Sequence, residues 1–69
     1  MLYNVTFRSG NVYCANLVEA DDIDTARDWF IKVKLKGDST RFIGILINNE
    51  GYRPDKPRHR VPDGWSQNE

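Results

Sequence analysis

The sequence predicts an α+β fold in the order ββαβ. It is a three-stranded sheet with strand order 2-1-3, one helix packed on one face, and an extended proline-rich C-terminal arm. Three observations predict it. Apolar residues alternate on both sides of Ser9-Gly10, the pattern of a hairpin. The acidic stretch EADDIDTARDWF follows and opens like a helix. The run FIGILI, rich in β-branched residues, then precedes a tail that holds all three prolines.

In the hairpin, Tyr3, Val5 and Phe7 alternate with Asn4, Thr6 and Arg8. Ser9-Gly10 offers a two-residue turn in which glycine supplies a positive φ. This turn pairs Arg8 with Asn11, Phe7 with Val12 and Val5 with Cys14. Tyr3, Val5, Phe7, Val12 and Cys14 then share the core face, and Asn4, Thr6, Tyr13 and Ala15 the other. In the helix, Asp21 or Asp22 can cap the first turn by accepting backbone N–H bonds. Ile23, Ala26, Phe30 and Val33 are spaced along one helical face, with Trp29 at its margin.

Residues 30–37, FIKVKLKG, fit two patterns. With period two, Lys32, Lys34 and Lys36 form a row opposite Ile31, Val33 and Leu35, as on a strand. A strand there would leave a helix of only about two turns, which is poorly supported because helix nucleation is costly. A helix running on to Gly37 ends at the residue best suited to a left-handed cap. Its lysines then complement the negative end of the helix dipole. The helix is the expected state, with Ile31 and Leu35 as a second, smaller apolar stripe.

GDST is a turn cluster, and residues 41–48 form the third strand, with Ile43, Ile45 and Ile47 toward the helix and Gly44 marking a bulge or a close approach. After the crossover this strand runs parallel to the second and pairs antiparallel with the first. Residues 1–50 form the ββαβ domain. Residues 51–69 form the basic arm, with Tyr52, Val61 and Trp65 available to pin it. Proline lacks a donor N–H, so the arm can pair as a strand only briefly.

Size and charge bound the function. The chain has 69 residues and a formal net charge of zero, with ten basic and ten acidic side chains. A dedicated nucleic-acid-binding domain usually carries a basic excess. Cys14 is the only cysteine, so no internal disulfide can form and a reducing, cytoplasmic location is expected. No apolar run approaches the ~20 residues of a membrane-spanning helix, and the N-terminal residues do not read as a signal peptide.

Four features are candidates for function. The arm sequence RPDKPRHR holds Arg53, Lys56, Arg58 and Arg60 against one acid, Asp55, and could contact phosphates without base preference. A solvated tail, or one balancing the acidic helix start, is the plainer reading. The sheet face away from the helix should carry Thr6, Tyr13, Phe42 and Leu46. Its aromatics could stack on bases, but burial against a partner, or cover by Tyr52 and Trp65, suits a small core better. Cys14 and His59 form no catalytic pair, because a nucleophile needs a base held within hydrogen-bond reach. One Cys and one His cannot complete a zinc site, so no metal and no cofactor is expected. The acidic run from Glu19 to Asp28 fits helix capping and dipole complementarity.

With VEADDIDTARDWF placed between a hairpin and a strand, the chain resembles small ββαβ proteins of bacteria, phages and mobile elements, the DpnD/PcfM-like proteins among them. The residues that carry the likeness are the strand ending in VEA, the acidic cap, TAR opening the helix, and FIGILI. They lie within the first 48 residues. Members are mostly uncharacterised, and no functional residue is carried over. The resemblance implies an accessory or inhibitor protein of a phage or mobile element. The expected function is thus a small, non-enzymatic protein-interaction module, working through a protein partner or self-association. Its contact residues are Tyr13, Phe42, Leu46 and Trp65. The alternative is a weak, sequence-independent nucleic-acid binder using Arg53, Lys56, Arg58 and Arg60.

Overall fold

The computed structural model describes residues 1–48 and 56–65. Strands β1 (Leu2–Ser9) and β2 (Val12–Glu19) form the hairpin, followed by helix α1 (Ile23–Trp29) and a π turn (Phe30–Lys34). A short 3-10 turn (Ser39–Arg41) leads into β3 (Phe42–Ile47), and β4 (Arg58–Arg60) comes last. The sheet is four-stranded, in the order β3-β1-β2-β4. It therefore differs from the three-stranded 2-1-3 sheet expected, because β4 is added in parallel beyond β2. Pro57 and Pro62 lie just outside this strand, so its own N–H groups are intact. Pro57 lacks a donor but still supplies a carbonyl, which accepts from the Leu17 N–H at 2.8 Å.

The hairpin register is shifted by two residues from the expected one. Its turn is Gly10-Asn11, with Ser9 opposite Val12, Phe7 opposite Cys14 and Val5 opposite Asn16. Gly10 has a φ of 63°. That matches a type II′ turn, which puts glycine at its first central position; a Ser9-Gly10 turn would put serine there. A shift of two leaves each side chain on its expected face. It does move Val12 out to the exposed tip.

Asp22 caps α1, its carboxylate accepting the Thr25 N–H at 2.7 Å. After Trp29 the helix widens. The Leu35 N–H donates to the Phe30 carbonyl five residues back, and the Gly37 N–H to Ile31 six back. The wider turn inserts one residue per cycle. Leu35 therefore lands in the core beneath Phe30, and Val33, expected there, is about half exposed. Ile23 is likewise exposed at the helix start. The chain leaves through Lys36 and Gly37, both at positive φ. The helical reading of FIKVKLKG is the one realised, and the lysine row does not exist. Lys32 pairs with Asp28 at 3.2 Å and stands over the Trp65 ring, while Lys34 stands over Trp29.

Between α1 and the sheet lies the core: Tyr3, Val5, Val18, Ala26, Trp29, Phe30 and Leu35, closed at one end by Val61. The Phe7 and Phe30 rings meet at 5.2 Å between centroids. β3 breaks register beside this cluster. Thr6 opposes Gly44, but Phe7 opposes Phe42, so Ile43 is the extra residue of a bulge. A bulge reverses the phase of a strand. Phe42, expected on the far face, packs against the core instead, and Ile43 is half exposed. Of the three isoleucines expected toward the helix, only Ile45 packs on the cluster. Leu17, on the face away from the helix, is completely buried, so the middle of that face is not open.

Candidate functional site

Three regions hold the side chains singled out from the sequence. The first is the outer part of the sheet. Tyr13 and Leu46 are the most exposed of the large apolar side chains, each 72% accessible. Both lie on the face away from α1, Tyr13 near the hairpin tip and Leu46 on β3 opposite Asn4. They are not neighbours: Tyr13 lies opposite Arg8 on one side of β1, and Leu46 lies opposite Asn4 on the other. Phe42 does not join them, and Trp65 packs against the core with the Lys32 ammonium 5.8 Å from its ring. The expected quartet is therefore two exposed residues and two that serve the fold. Sequence reasoning missed Ile43 and Ile47, which are 50% and 48% exposed. Together with Leu46 they make β3 the most exposed apolar element of the described structure. The available signal was the absence of any charge from Phe42 to Asn48.

The second region is the basic segment. Arg53 lies outside the described residues. Lys56 is half-buried. Arg58 donates to the Glu19 carboxylate at 2.6 Å, and Arg60 pairs with Asp63 at 3.9 Å. The Arg58 hydrogen bond and charge hold the Glu19 carboxyl below its usual value. The two arginines thus answer to acids of the same chain, and Glu19 is committed to β4. Asp24 and Asp28 of the acidic run are similarly paired, with Arg27 and Lys32. Beside this region a cleft of about 220 Å³ opens between the end of β2, the start of α1 and Arg60–Trp65. It is smaller than the usual ~300–1,000 Å³ of a small-molecule site.

The third region surrounds His59. It sits in β4 opposite Val18, with its ring 6.2 Å from that of Trp29 and 6.3 Å from that of Phe30. The sequence placed it in the extended arm. Burial, helped by the Lys34 charge, pushes its pKa below 6.5. The neutral ring is then the folded form's preference, so between the folded and unfolded pKa values the unfolded chain binds more protons. Stability is full above pH ~6.5 and declines as the pH falls through the folded value. Glu19, Asp22 and Asp38 are also lowered, by Arg58, Thr25 and Thr40 respectively. Their contribution is lost only below pH 4.5 for Glu19 and 3.8 for the aspartates. Urea midpoints measured from pH 8 to 3 should therefore fall in two stages. In His59→Phe the upper stage should vanish and the lower remain. A single carboxylate stage in the parent protein would contradict this assignment.

Cys14 is a half-buried free thiol on the helix-facing side of β2. Among the described residues no cluster of His, Cys, Asp and Glu could hold a metal ion. No helix among them is long and apolar enough to cross a membrane. Comparison with known proteins finds no matching family model, no matching curated protein and no matching solved structure, so what the chain does has to be read from its own geometry.

Proposed function

We propose that this protein is a small, non-enzymatic protein-interaction module. In line with the resemblance stated above, its setting would be that of an accessory or inhibitor protein of a phage or mobile element. The observation that carries the reading is the exposure of Ile43, Leu46 and Ile47 along one strand with no charge among them. Leu46 and Ile47 lie on opposite faces of β3, so the exposed apolar feature is the strand edge itself, and an exposed, uncharged apolar edge strand is prone to pair with another chain. The nucleic-acid alternative is weaker, because Arg58 is held by Glu19 within the chain.

Site-specific photo-crosslinking in the native host tests the reading. A photoreactive residue at position 46 should give discrete protein adducts, and one at Lys36, exposed at the helix end, should not. Equal adduct patterns from both positions would remove the case for a defined surface. An NMR titration with a mixed-sequence oligonucleotide addresses the alternative. Salt-reversible shifts at Lys56, Arg58 and Arg60 would put phosphate binding first.

A further inference from the structure

We infer that the partner of β3 is a second copy of this chain, joined edge to edge so that two four-stranded sheets become one of eight. This rests on the interaction reading and names its partner. The two edges of the sheet differ in kind. β4 is three residues long, carries two arginines and is bracketed by Pro57 and Pro62. Short length, charge, proline and bulges are devices that keep an edge from pairing. β3 has only a bulge, at Ile43 near its start. It is six residues long and wholly apolar.

The hydrogen-bond phase shows what this edge offers. The Asn48 N–H donates to the Leu2 carbonyl at 2.9 Å, in the same register that sets Leu46 opposite Asn4 and Gly44 opposite Thr6. In an antiparallel pair, hydrogen-bonded and non-bonded positions alternate. Leu46 and Gly44 therefore direct their N–H and C=O groups to β1. Ile45 and Ile47 direct theirs outward. Among the described residues, β3 pairs with β1 alone.

A second β3 meets these groups only if outward residues oppose outward residues. An antiparallel, two-fold symmetric pairing centred on Ile45 satisfies this. Ile45 opposes Ile45 of the other copy, and each half-exposed Ile47 reaches the other copy's bulge at Ile43. On the far face the same register sets Leu46 against Gly44. A Cβ built at Gly44 meets nothing within 4 Å. The most exposed side chain of the strand thus lies over its one residue without a side chain. Centring the pair on Gly44 would oppose two glycines and leave that space empty. Centring it on Leu46 would set two leucines head to head. Of the three registers only the one centred on Ile45 seats Leu46 over Gly44, and it closes as a dimer with two-fold symmetry. It brings no charged residue of β3 into the interface.

Sedimentation equilibrium of the full chain from about 10 µM to 1 mM, the range suited to a small interface, should show its mass doubling. Hydrogen exchange should report the alternation. The Leu46 amide should be protected at every concentration, and the Ile45 and Ile47 amides only where the dimer forms. Gly44→Lys places its side chain in open space in the single chain but against Leu46 in the pair. It should keep the folded spectrum and weaken association by about tenfold or more, because it buries an unpaired ammonium. Leu46→Lys should do the same from the other side of the contact. A chain that stays monomeric overturns the dimer, as does a dimer insensitive to both lysines. A monomer that still yields adducts from position 46 would end this inference and leave the interaction reading standing. A monomer with no such adducts would end both.

Discussion

Phe30→Ala is expected to leave much of the chain unfolded at 25 °C. Phe30 is the largest of the fully buried side chains, and it lies where α1 passes into the π turn. Its ring packs on Phe7 and faces His59, so one substitution opens the contact between helix, hairpin and β4. Truncating a buried phenylalanine costs about 3–5 kcal/mol. A domain of this size has in total about 3–10 kcal/mol, at roughly 0.05–0.15 kcal/mol per residue. Urea unfolding followed by tryptophan fluorescence measures the loss. Val33→Ala is the matched control. In a continuous α-helix Val33 would share the buried stripe with Phe30, and its truncation would be costly. With the wider turn it should stay within about 0.5 kcal/mol of the parent, as surface changes do. A large cost at Val33 would restore the continuous helix and displace the π turn.

The second large effect is expected on the opposite side of the sheet. Leu17→Ala should cost about 2–5 kcal/mol, the range for a buried leucine. Leu17 lies on the face away from α1 and outside the helix-side cluster, yet it is completely buried. Leu46→Ala, on the same face but largely exposed, should change stability by no more than about 0.5 kcal/mol at dilutions where the chain is monomeric. If both substitutions cost little, the outer face has no buried centre.

The sequence made the elements legible where a pattern repeats over several residues. The alternation in β1, the acidic cap at Asp22 and the β-branched run of β3 all appear where their signals lie. What it concealed are changes of phase. One extra residue at Ile43 turns Phe42 inward, and one extra residue in the π turn exchanges Val33 for Leu35. Neither insertion has a local signature beyond Gly44 beside the first. The hairpin register was concealed for the opposite reason. A shift of two keeps every face, so periodicity cannot distinguish Ser9-Gly10 from Gly10-Asn11.

β4 was hidden by length and by its partner's distance along the chain. Three residues cannot display a period, and Arg-His-Arg between prolines has the composition of a solvated tail. The same limit applies to the candidate site. The exposure of Tyr13 and Leu46 followed from alternation, whereas the inward turn of Trp65 depends on Lys32 and the core beneath it. The pairing of Arg58 with Glu19 follows from β4 lying beside β2.

That placement of β4 also orders the assembly of the molecule in time. The hairpin closes across two residues, whereas Arg58 meets Leu17 from about forty residues further along the chain. Local hairpins form in about 1–10 µs, and long closures carry a larger entropic cost. β4 is therefore the last strand to dock and the first to leave. Its departure uncovers Val18 and Val61 while the antiparallel part of the sheet stays intact. The chain behaves as a hairpin-centred body with a latch, and the latch sets how often the core meets water.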